Sequence, residues 1–205
     1  MLLKNNLLQA AQDAVGIPLR YAQAGSSLVY AAMAGARQCV ELQHYPRSDV
    51  VDTSHSARFY YHAHGARRKP DAEHGHFHLF GHGQQAGNYA HLVGISLDAL
   101  GQPMRLFTTN RWVTGETWHS AQQVEQMLQH FQVATRGRMA PVARWVTAMV
   151  QLYLADIVGL VKQRDAEMAR RCPPGQWDVL CEDRRLDVVT QSPISLDKKI
   201  QQLGF

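Results

Sequence analysis

The chain has 205 residues, a formal charge of +4 and 45% hydrophobic residues, with charged residues at 19%. That length fits one large domain or two small ones, and the composition excludes a disordered chain, a collagen, a coiled coil and a disulfide-stapled mini-protein. Histidine is the unusual count: eleven, against seven Tyr, six Phe and four Trp.

Residues 2–14 read as an amphipathic helix with Leu3, Leu7, Ala10 and Ala11 on one side, and Gly16 and Pro18 are expected to end it. Residues 26–42 read as a second helix capped by Ser26 or Ser27. The stretch His44–Ser54, with Pro46, Asp49 and Asp52, reads as a loop in which the aspartates cap turns or join a site as carboxylates. The apolar period then changes from 3.6 to 2. Strands are expected near 57–64, 73–80, 89–98 and 103–109, separated by glycine- and proline-bearing links short enough for an antiparallel meander. Helices return after Gly115. Ser120-Ala-Gln-Gln123 has the form of a capping box, and residues 140–170 read as one long helix, bent at most at Gly159. A short strand at Leu186–Val189 and a helix near Ser195–Leu203 close the chain. The fold class is therefore α+β: an antiparallel meander of about four strands, flanked by N-terminal helices, with a long C-terminal helix packed on one face. We read 1–205 as a single domain, with helical parts at 2–42 and 119–205 around a sheet at 55–110.

Basic residues cluster only at Arg67, Arg68 and Lys69, so no nucleic-acid partner is expected. The greasiest stretch, Trp145–Val161, is interrupted by Thr147, Gln151 and Asp156 and reads as a core helix, not a membrane span. The opening residues lack a continuous apolar region for a signal peptide. Cys39, Cys172 and Cys181 are odd in number and form no CxxC pair. Both features imply a cytoplasmic protein.

Chemistry concentrates on the first two expected strands. Alternation across a strand puts Arg58, Tyr60, His62 and His64 on one face of the first. It puts His74, His76 and His78 on one face of the second, with Glu73, Gly75, Phe77 and Leu79 on the other. Pairing the apolar sides sets His64 opposite His74, His62 opposite His76 and Tyr60 opposite His78, because a slip of one residue would drive imidazoles into the core. Facing positions lie ~4.5–5.5 Å apart, close enough for two or three imidazoles to hold one ion. His62, His64, His74, His76 and His78 are thus candidate ligands for a divalent metal, zinc or iron, and metal-dependent catalysis is open to such a site. Two other readings stand beside it: a metal-free pocket for a small polar or anionic ligand, and a structural protein whose long helix serves a homo-oligomer. No cupin spacing, HExxH helix or nucleotide-cofactor motif is present. His91 alternates with Val93, Ile95 and Leu97 and reads as a core residue. His82 reads as a turn residue, and the scattered His44, His55, His119 and His130 are assigned no role.

The fourth strand runs into Thr108-Thr-Asn-Arg-Trp-Val-Thr-Gly-Glu-Thr-Trp118, dense in polar and aromatic residues where a strand end meets a helix start. Tyr60, Asn110, Arg111 and Glu116 are candidate ligand-binding residues: Arg111 as a bidentate anion clamp, Glu116 as a base or a partner to a ligating histidine. The structural reading has Asn110 and Thr114 setting turns, Glu116 pairing Arg111, and Trp112 and Trp118 packing at the sheet edge.

The runs Tyr60-Tyr-His-Ala-His64, Glu73-His-Gly-His-Phe-His78, His91-Leu-Val-Gly-Ile-Ser96 and Leu106–Trp118, with Glu182-Asp-Arg-Arg-Leu186, resemble an uncharacterised bacterial family, a domain of unknown function. The resemblance covers most of the chain. It implies a bacterial, cytosolic protein and no particular activity.

Overall fold

The period-two stretch between residues 57 and 109 becomes the centre of a six-stranded antiparallel sheet whose strands lie side by side in sequence order. The computed structural model describes residues 2–36, 38–63, 72–82 and 88–204. The strands are β1 (Tyr45–Asp52), β2 (Ala57–His62), β3 (Glu73–His82), β4 (Tyr89–Asp98), β5 (Pro103–Thr109) and β6 (Val188–Pro193). Helices α1 (Leu2–Gln23) and α2 (Leu28–Ala32) come first. Between β5 and β6 run α3 (Arg111–Thr114), α4 (Ala121–Gln129), α5 (Ala140–Leu152), α6 (Leu154–Arg171) and α7 (Trp177–Cys181), and α8 (Leu196–Gln202) follows β6. The class is α+β, as expected, with two strands more than the meander read from the sequence.

Both added strands are edges. Pro46 sits in β1, where among the described residues one side of the strand has no neighbour to receive an N–H, and a register shift between Tyr45 and Val50 absorbs the irregularity. The segment 45–52 is therefore strand and not loop, although Asp52 does cap a turn, accepting from the Ser54 and His55 amides. β6 runs further than the expected 186–189.

Three helix expectations are corrected. α1 passes through Pro18 to Gln23. Proline has no N–H to offer the carbonyl four residues back, but the Trp145 indole donates to that carbonyl, on Ala14, at 3.2 Å, so the helix continues without an orphan acceptor. α2 is five residues long, not seventeen. Ser27 caps it, and Ala34 (φ 54°) and Gly35 (φ 83°) turn the chain out of the helix soon after. The helix read at 140–170 is two helices, bent by 73° at Tyr153. Gly159 lies inside α6 and does not mark the bend.

One continuous apolar cluster joins Phe59, Phe77, Leu79, Val93, Ile95 and Leu106 of the sheet to Ala14 and Ile17 of α1 and to Trp145, Val146 and Met149 of α5. The Phe77 and Trp145 ring centroids are 5.7 Å apart. Burial of these side chains supplies most of the driving force, at roughly 1.5–3 kcal/mol each. Among the described residues no single helix is long and apolar enough to cross a membrane; α5 and α6 meet that test only as a bent pair.

Candidate metal centre

β2 and β3 pair in the expected register, with His62 opposite His76 and Tyr60 opposite His78. The three imidazoles meet on the sheet face away from Phe77 and Leu79. One ring nitrogen from each of His62, His76 and His78 lies within 4.8 Å of the others, and all three residues are buried. His62 Nε2 and His76 Nε2 are 2.8 Å apart. A hydrogen bond there needs a proton on one of the two atoms, whereas a cation takes both lone pairs.

Two bulges complete this face, and they change the membership read from alternation. Glu73 faces Asp98 while Gly75 faces Leu97, so β3 carries one extra residue, His74. The extra residue reverses the alternation. Glu73 comes round to the histidine face, and His74 turns to the other side, where its Nδ1 lies 2.8 Å from the Tyr61 hydroxyl. On β4, Leu79 faces Val93 while Phe80 faces His91, which makes Leu92 the extra residue and brings His91 to the triad. His91 is therefore not simply a core side chain, and Glu73 is not on the apolar face. His64, the expected partner of His74, lies outside the described residues.

Glu73 fixes the tautomer of His76, and His91 holds His78. Glu73 Oε1 accepts from His76 Nδ1 at 2.6 Å, which leaves His76 Nε2 with its lone pair. Burial pushes the Glu73 carboxyl up, but hydrogen bonds from His76 and Ser96 and the Arg105 charge outweigh it and hold the group below its ordinary value. The other oxygen of Glu73 accepts from Arg105 at 3.1 Å. On the far side His78 Nδ1 lies 2.9 Å from His91 Nε2, and His91 Nδ1 lies 3.2 Å from the Thr109 hydroxyl. Complete burial, with the Arg164 charge adding, lowers the His91 pKa to about 3, so the ring is uncharged. A proton on its Nδ1, toward the Thr109 hydroxyl, would let its Nε2 accept from His78 Nδ1.

Aromatic rings wall the group. Tyr60 lies 5.5 Å from His62 and 5.3 Å from His78 between centroids, and His44 stacks on Tyr60 at 3.6 Å. Phe107 lies 5.1 Å from His76 and 5.7 Å from His78. Phe107 crosses Gly94 so closely that a Cβ there would sit 2.2 Å from the ring, so only glycine leaves room for it.

The remaining candidates are placed elsewhere. Asn110 caps α3 through the Arg111 amide and donates to the Leu180 carbonyl. Arg111 pairs with Asp178 and Glu182, at 2.9 and 3.1 Å, rather than with Glu116. Glu116 accepts from the Thr114 hydroxyl, and burial raises its pKa to about 8 against the pull of Arg164, Arg111 and Arg58. It is near enough to Tyr60 to join burial and Asp49 in pushing the phenol up. Trp112 donates to the Leu186 carbonyl and Trp118 packs on Trp177, as the structural reading had it.

Fold and site together define an α+β protein with a buried triple-histidine cluster on one face of an antiparallel sheet. The chain belongs to the family described as Domain of unknown function (DUF6969), whose model matches residues 8–194. No curated protein and no solved structure matches it.

Proposed function

We propose that the protein holds one divalent metal ion, zinc or iron, on the Nε2 atoms of His62, His76 and His78. The observation that carries this reading is the convergence of three buried imidazole nitrogens within 4.8 Å. A bound ion at ~2.0–2.1 Å from each would set them roughly 3.3 Å apart, which opens the 2.8 Å His62–His76 pair slightly and is a small adjustment for side chains. Glu73 and His91 supply the second support. Metal-ligating histidines donate their other N–H to a carboxylate or another acceptor; His76 donates to Glu73, and His78 has His91 at its Nδ1.

Three protein ligands leave a position for water or for a small polar or anionic ligand, as in catalytic rather than structural sites. Hydrolysis by metal-bound water and oxygen chemistry at iron are the reactions such a centre would support. Cobalt(II) titration tests the reading. Visible d–d absorption should saturate at one equivalent in the wild type and in His74→Ala, whose side chain faces the other way, and should vanish in His76→Ala. A wild type without that absorption, or a His76→Ala variant that keeps it, would overturn the proposal.

A further inference from the structure

Four of the histidines that the metal centre does not use, His55, His82, His119 and His130, line one cavity of about 700 Å³ beside α4, together with Ser54, Ser56, Asn88, Gln123, Gln126 and Met127. Its volume lies within the range of small-molecule sites. Among the described lining residues none is Lys, Arg, Asp or Glu. The four imidazoles do not form a group at metal-binding distance; among the described residues only the triad does. The cavity therefore has room for a molecule rather than a single ion, and its described lining residues offer no fixed charge to recognise an anion or a cation.

Its hydrogen-bonding groups are partly preset. His119 is buried, and its Nδ1 donates to the Thr117 carbonyl at 2.8 Å, which leaves the Nε2 lone pair to accept. His55 Nδ1 is engaged by Asp52 Oδ2 at 2.6 Å, which leaves its Nε2 for a ligand. Burial and the Arg58 charge lower the His82 pKa and keep that ring neutral. Serine hydroxyls and the Gln126 amide both donate and accept. Apolar surface comes from Met127, seated on Gly81, and from the His82 ring, 3.7 Å from that of Tyr89.

We propose that this cleft binds an uncharged polyhydroxylated ligand, a sugar, with ligand hydroxyls donating to the His55 and His119 nitrogens and a C–H face resting on Met127. The proposal is independent of the metal centre, since the two sites share no residue. The test is amide NMR of the full chain titrated separately with D-glucose, D-galactose, N-acetylglucosamine and sucrose, and in parallel with sodium phosphate and zinc chloride. At least one sugar should give saturable shifts confined to the cleft. Gln126→Ala and His130→Ala, both at exposed positions, should each weaken that binding about fivefold, the loss of one hydrogen bond. Saturation by phosphate or zinc but by no sugar, no saturable shift with any of the four sugars, or binding unchanged in both variants would each overturn it.

Discussion

Phe77 and Leu79 on one face of β3 are as thoroughly buried as His76 and His78 on the other, yet burial means different things on the two sides. The aromatic and aliphatic side chains are 0% exposed against α1 and α5 and need only contact. The imidazoles, 4% and 1% exposed, carry polar atoms whose burial is costly without partners. They have Glu73, Arg105, His91 and Thr109 to hold them. A buried face made only for stability would be simpler as a second apolar layer, since well-packed apolar groups replace buried polar networks without loss. The comparison therefore separates a face that holds the fold together from a face that holds nitrogens in place.

The largest expected effect comes from the first face. Phe77→Ala should lose about 3–5 kcal/mol in chemical denaturation, while the protein that remains folded keeps its metal content. Next is Glu73→Gln, which leaves the packing intact but removes the anionic acceptor at His76 Nδ1. Metal affinity measured with a competing chelator should fall about 10–100-fold. An equal loss of metal from both variants would erase the distinction between the faces.

Glu116 gives a smaller, pH-dependent effect. Its folded pKa, about 8, lies above its ordinary 4.5, so between these values the folded protein holds a proton that the unfolded chain releases. Stability therefore falls as pH rises through that window and is level on either side of it. Glu116→Gln should remove the slope, raising stability at pH 9 and leaving it unchanged at pH 4, as read by thermal melts at both. Smallest is Arg111→Ala. Its partners Asp178 and Glu182 are 84% and 55% exposed, so the cost should stay below about 1 kcal/mol, with metal content unchanged.

Much of this contrast is legible in the sequence. Alternation places Phe77 and Leu79 opposite His76 and His78, and the need to keep imidazoles out of the apolar layer sets the β2–β3 register. Single-strand periodicity could not show the bulges at His74 and Leu92, because an extra residue is defined only against the neighbouring strand. Both errors at the site, Glu73 and His91 on the wrong face, come from that. The stacking of His44 on Tyr60 depends on β1, which Pro46 and the aspartates disguise as loop. The 73° bend leaves no mark either, since the apolar spacing runs unbroken through Tyr153 with no glycine or proline at the joint.

The most direct test of the histidine face is elemental analysis of purified wild type, His74→Ala and His76→Ala proteins, each confirmed as folded by circular dichroism. About one equivalent of zinc or iron per chain in the first two, and none in the third, is the predicted result. The same trace level of metal in all three would contradict it.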